Sequence, residues 1–204
     1  MSFQVGQFDL PNRRNPSRSV YQHPLPWLET HASLLKALEE STLPPELLDY
    51  LRQSEEPELF GDSPPRGTPS FPRNLGKLAA FSAECQSGLL LFAGDLHGSH
   101  ALSQNIHNRE GSFWHGVMHR RERDFWNAKY WFRKVGHHPV MDAIATALSE
   151  LPKPVPPWIG STWDPYHFVD LCEAVSPQDT DQLQWLRRLA WIEWQTLFLY
   201  CYEL

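Results

Sequence analysis

The chain has little cysteine, few uninterrupted apolar runs, no basic excess and hardly any β-branched alternation, and each shortage removes a class of protein. Three cysteines in 204 residues, Cys85, Cys172 and Cys201, are odd in number and widely spaced. That pattern suits reduced core thiols in a reducing, cytoplasmic setting better than a disulfide framework. Apolar runs such as Leu89 to Ala93 fall far short of the roughly 20 residues that cross a bilayer, and the opening MSFQVGQFDLPNRRNPSR lacks the apolar core of a secretory signal. A soluble protein without membrane partners is expected. The net charge of -6 leaves no basic excess to neutralise phosphates, which argues against a nucleic-acid partner. No stretch alternates β-branched residues at period two, so strands should be scarce. The chain also lacks a phosphate-cradling glycine loop, a CxxC pair, a dinucleotide fingerprint and a G-x-S-x-G elbow around Ser99 or Ser103.

Present in excess are tryptophan, with nine, and proline, with eighteen. Tryptophans bring large buried area and one N–H to satisfy, so most must wedge between helices. Prolines gather at 11 to 26, 57 to 72 and 152 to 165, where they break helical pattern into extended connectors. Hydrophobic residues at 41% and charged residues at 21% fit a globular chain. The expected fold is all-α, a single-domain irregular helical bundle with long Pro-rich connectors. Residues 1–27 would form an extended N-terminal arm and 28–204 one helical domain.

Helical spacing predicts helices over Glu29 to Glu40 and Pro44 to Arg52, then a central buried helix from Leu75 to about Ile106 that Gly94 and Gly98 bend or break. Three short helices follow between 112 and 151, the second capped by Asp124. Asp164 should cap a helix that begins at Pro165, and Thr180 to about Tyr202, apolar around most of its circumference, should be a buried strut.

Functional side chains are densest between Asp95 and His138, which holds seven of the ten histidines. Wound at 100° per residue, 113–122 puts Phe113, Trp114, Val117 and Met118 on one face and His115, His119 and Glu122 on another. An i, i+4 histidine pair with a carboxylate one turn on can hold a divalent metal, although Gly116 stands where the zinc-protease motif has glutamate. With surface hydrogen bonding the commoner fate of such a pair, no residue is assigned as a metal ligand and no cofactor is named. Arg121 falls in the middle of the apolar face and must find an anionic partner, either Glu84, Glu193 or a bound ligand.

These readings converge on a small-molecule site. His100, His119 and Glu122 would be its catalytic groups. His115, Arg121, Asn127, Trp114, Trp131 and Arg133 would bind the ligand, with Arg121 stabilising a developing anion. Two alternatives stand beside it: a helical module that docks a protein partner, and a metal-dependent hydrolase.

The stretch Gly111 to Pro139, GSFWHGVMHRRERDFWNAKYWFRKVGHHP, resembles the signature of an uncharacterised bacterial and fungal protein family, G-S-F-W-H-G-hydrophobic-M-H-R-R-E-x-D, then N-A-K-Y-W-F-R, then V-G-x-H-P. Ser99 to Gln104 resembles a second block, S-H-x-x-S-Q. The resemblance carries no activity with it. It implies that His100, Gln104, His115, His119, Arg120, Arg121, Glu122, Asp124, Asn127, Trp131 and Arg133 occupy motif positions.

Overall fold

In the computed structural model, the described residues are Pro45, 57–64, 81–149, Leu151 and 154–203. They contain seven α-helices and no strand: α1 Ala83–Phe92, α2 Leu96–Ser103, α3 Arg109–Arg121, α4 Phe125–Val135, α5 Pro139–Ser149, α6 Pro165–Ala174 and α7 Thr180–Glu203, with a 3-10 turn at Pro157–Ile159. The all-α expectation holds. The arm expected at 1–27, the helix at Glu29 to Glu40, all of Pro44 to Arg52 but Pro45, and the start of the helix expected from Leu75 lie outside the described residues.

The single helix expected across 75–106 is two. Gly94 sits between them at φ +81, where a Cβ would meet the Asp62 carbonyl oxygen at 2.4 Å. Only glycine serves both the left-handed turn and the close passage of the 57–64 segment. Gly98 does not break α2; it lies in its first turn and donates its N–H to the cap Asp95 at 2.9 Å. Side-chain caps open four further helices, from Ser82, Asn108, Asp124 and Asp164. Each satisfies an N–H that the first turn leaves without an intrahelical partner.

Helix α3 is the hub, and every residue from Gly111 to Arg121 is buried. It packs on α4, α2 and α1; α1 in turn meets α2 and α7, α4 meets α6, and α5 meets α7. The apolar face of α3 joins an aromatic core in which Phe92 and Trp194 lie 5.0 Å apart, Trp191 and Trp194 5.3 Å, and Trp194 and Phe198 4.9 Å between ring centroids. Ring pairs of this kind contribute about 0.5–1.5 kcal/mol each beyond area burial. The Trp194 Nε1–H donates to the Gly88 carbonyl at 2.9 Å, fixing α7 against α1. All three cysteines are buried thiols without a disulfide.

Candidate functional site

Three imidazoles from two helices face one another. His115 and His119 stand one turn apart on the polar side of α3, and α2 lays His100 across them. The ring centroids are 4.7 Å apart for His100 and His115, 5.4 Å for His100 and His119, and 4.8 Å for His115 and His119. One nitrogen from each ring lies within 4.8 Å of the other two. His115 and His119 are buried and His100 half-buried, so the cluster opens on the His100 side.

The reason α3 can carry these rings inside the fold is its tight contact with α4. At Gly116 a Cβ would stand 3.0 Å from the Phe132 ring, so the helices approach where a side chain is missing. A glutamate there, as in the zinc-protease pattern, would collide with Phe132. From α4, Trp131 stacks on His115 with centroids 3.9 Å apart and planes at 24°. The Lys134 ammonium lies 4.0 Å above the Trp131 ring, covering the stack with a cation–π contact.

Two of the rings also meet polar neighbours at Nδ1. The Ser103 oxygen lies 3.1 Å from His115 Nδ1 and 3.4 Å from the His100 carbonyl oxygen. Because a carbonyl only accepts, the hydroxyl proton goes to it, and His115 Nδ1–H donates to the Ser103 oxygen. That tautomer leaves the ring's lone pair on His115 Nε2. His119 Nδ1 lies 3.4 Å from Glu122 and 3.8 Å from Asp124. Arg123, at φ 65, makes the left-handed turn between those two acids, and Asn127 Nδ2 holds the Asp124 carboxylate at 2.6 Å.

Burial, then the neighbouring His119 and His100, push His115 down to about 3. Burial also lowers His119, against the pull of Glu122 and Asp124. Both shifts favour the neutral ring, which presents a lone pair rather than charge.

The other residues singled out from the sequence lie elsewhere. Trp114 is buried in the core, with Gly88 beneath its ring and Trp194 at 6.2 Å. Arg121 is buried in the apolar face as its position on the helix implied, but its guanidinium donates to the backbone carbonyls of Leu91 and Ser63 rather than to an acid. Burial, and then the adjacent Arg120, lower it to about 10. Glu193 belongs instead to Arg120, and Glu84 accepts from Asn108 Nδ2 at 2.6 Å. Asn127 serves the α4 cap, and Arg133 is exposed on α4. Of the remaining histidines in the dense region, His97 and His107 are exposed, His137 pairs with Asp142, and His138 with Glu110.

Ser103 and Asp124 were not among the residues expected in the site. The first had a readable signal, since 103 falls one turn after His100 on the same helix. The second was legible as a cap and as a motif position, not as a site residue. Comparison with protein-family models, with curated proteins and with solved structures finds no match to this chain.

Proposed function

We propose that this protein binds a small polar molecule at the His100, His115 and His119 cluster and activates it chemically. The observation that carries this reading is the meeting of three imidazoles from α2 and α3, two of them buried, around one point. Imidazoles confined in this way can donate electron pairs to an electron-poor partner. Glu122 and Asp124 add negative charge at the edge, within reach of water and able to carry a proton. Trp131 is a rigid wall behind His115. Hydrolysis or proton abstraction from a small polar substrate suits this set. Arg121, engaged by two carbonyls, and Trp114, in the core, contribute through the fold rather than by contact.

A thermal-shift panel of small carboxylic, ester and phosphate compounds tests the reading. At least one class should raise the Tm of the parent protein and leave folded His119→Ala unmoved. If no compound shifts the parent, or if the variant responds equally, the reading fails.

A helical docking module is the second reading, and one observation favours it. Trp126 is 76% exposed and stacks on exposed Tyr130 with centroids 6.3 Å apart. Trp131 and Trp158 are half-buried, so the exposed aromatic surface of α4 is one pair of rings. A stable interface ordinarily covers far more, about 800 Å² on each partner.

A further inference from the structure

We propose that His100, His115 and His119 are the three protein ligands of one divalent transition-metal ion of the zinc class, with a fourth position left for water or substrate. This rests on the reading of the cluster as the functional site and names what the three lone pairs receive.

The geometry leads to the ion in three steps. Three nitrogens no more than 4.8 Å apart leave a point within about 2.8 Å of all of them, against a metal–imidazole bond of about 2.0–2.1 Å. Imidazole rotations of under an ångström close that gap, and two of the rings already share a helix face. Next, two of the rings have polar neighbours at Nδ1, which leaves Nε2 as the metal-binding atom. Ser103 accepts from His115 Nδ1 and Glu122 approaches His119 Nδ1, the carboxylate-histidine or hydroxyl-histidine support that fixes a ligand's tautomer and raises its basicity. Finally, among the described residues the cations near the cluster are engaged elsewhere. Lys134 is turned onto the Trp131 ring, Arg120 is paired with Glu193, and Arg121 is held by carbonyls.

The donor set selects the class of ion. Three imidazole nitrogens without a thiolate suit zinc, cobalt, nickel or copper and disfavour magnesium or calcium, which take oxygen. They leave the ion its full charge, which Glu122 and Asp124 partly balance. A three-ligand site keeps one position for water or substrate, as catalytic zinc centres do.

The test uses full-length protein carrying no histidine tag, stripped with chelator and titrated with Co²⁺ and Zn²⁺. Expected are one ion per chain, the visible ligand-field bands of four-coordinate Co²⁺, and a rise in Tm with Zn²⁺ but not with Mg²⁺. His100→Ala and His119→Ala should each weaken Co²⁺ binding by on the order of 100-fold or more, while His97→Ala and His107→Ala, exposed and outside the cluster, leave it unchanged. Should His119→Ala fail to fold, half-buried His100 carries the comparison alone. Binding that is substoichiometric, octahedral by its spectrum, or insensitive to His100→Ala overturns the metal. Compounds that still protect the metal-free protein in the thermal-shift panel would leave the small-molecule reading standing while the metal falls; loss of both responses removes both.

Discussion

Arg120 of α3 and Glu193 of α7, 73 positions apart, meet inside the core as a two-pronged ion pair in which neither side chain is more than 1% exposed. The Phe168 ring of α6 covers the guanidinium at 4.2 Å, so one cation joins three helices. Burial pushes the Glu193 carboxyl up against the pull of Arg120. Removing one partner leaves the other charge buried alone, which costs about 3–5 kcal/mol. Arg120→Met should lower stability by that amount in urea denaturation, and the Arg120→Met, Glu193→Met double variant should recover most of it. A double variant no better than the single would show that the pair is not what the charge needs.

The α3–α4 contact predicts a cost at Gly116. Its Cβ would stand 3.0 Å from a Phe132 ring that is itself 1% exposed, so the ring has nowhere to retreat. Overpacking of this kind costs about 1–3 kcal/mol. Gly116→Ala should therefore lower the urea midpoint, with loss of Co²⁺ binding as the helices part. An unchanged midpoint would mean that the contact is loose.

Glu110 and His138 give a pH dependence whose sign can be worked out. The Val140 N–H donates to His138 Nδ1 at 3.2 Å, so the ring proton is on Nε2 and donates to Glu110 at 3.1 Å. Burial, the largest single influence, would raise the Glu110 carboxyl, but the bond from His138, a backbone hydrogen bond and the nearby Arg109 together hold the group below its ordinary value of 4.5. A depressed carboxyl stabilises the fold above that value and loses its contribution as pH falls through the lower, folded one. The Tm difference between the parent and Glu110→Gln should shrink as pH is taken from about 6 to about 3. A difference that stays constant across that range excludes the linkage.

Ser103 meets Nδ1 of His115 at 3.1 Å. Without it the ring loses its tautomer and its bearing, which in metal sites weakens binding by about 10–100-fold. Ser103→Ala should show that loss in the Co²⁺ titration at a stability cost of only about 1 kcal/mol. Unaltered affinity would make the hydroxyl incidental.

Trp126 separates folding from docking. At 76% exposure it has little to lose on truncation, and Trp126→Ala should change stability by no more than about 0.5 kcal/mol. Sedimentation of the parent and the variant across a concentration series then reads whether this ring pair holds a second copy. A large destabilisation would place the indole in the packing instead.

From the sequence alone, the all-α architecture and the bounds of the last five helices were legible within a few residues. Period 3.6, the caps Asp124 and Asp164 and the breaker at Gly94 act over one or two turns of chain, and local signals of that range survive without a fold. The shared face of His115 and His119 was legible for the same reason, because an i, i+4 spacing fixes it. What only the tertiary structure decided is which distant groups meet: that His100 crosses to the pair while His97 and His107 turn to solvent, that Arg120 rather than Arg121 takes Glu193, and that Trp131 rather than Trp114 backs the cluster. Adjacent positions on a helix point 100° apart, so a partner is chosen by which neighbouring helix lies across each face, and that is set by packing of the whole core.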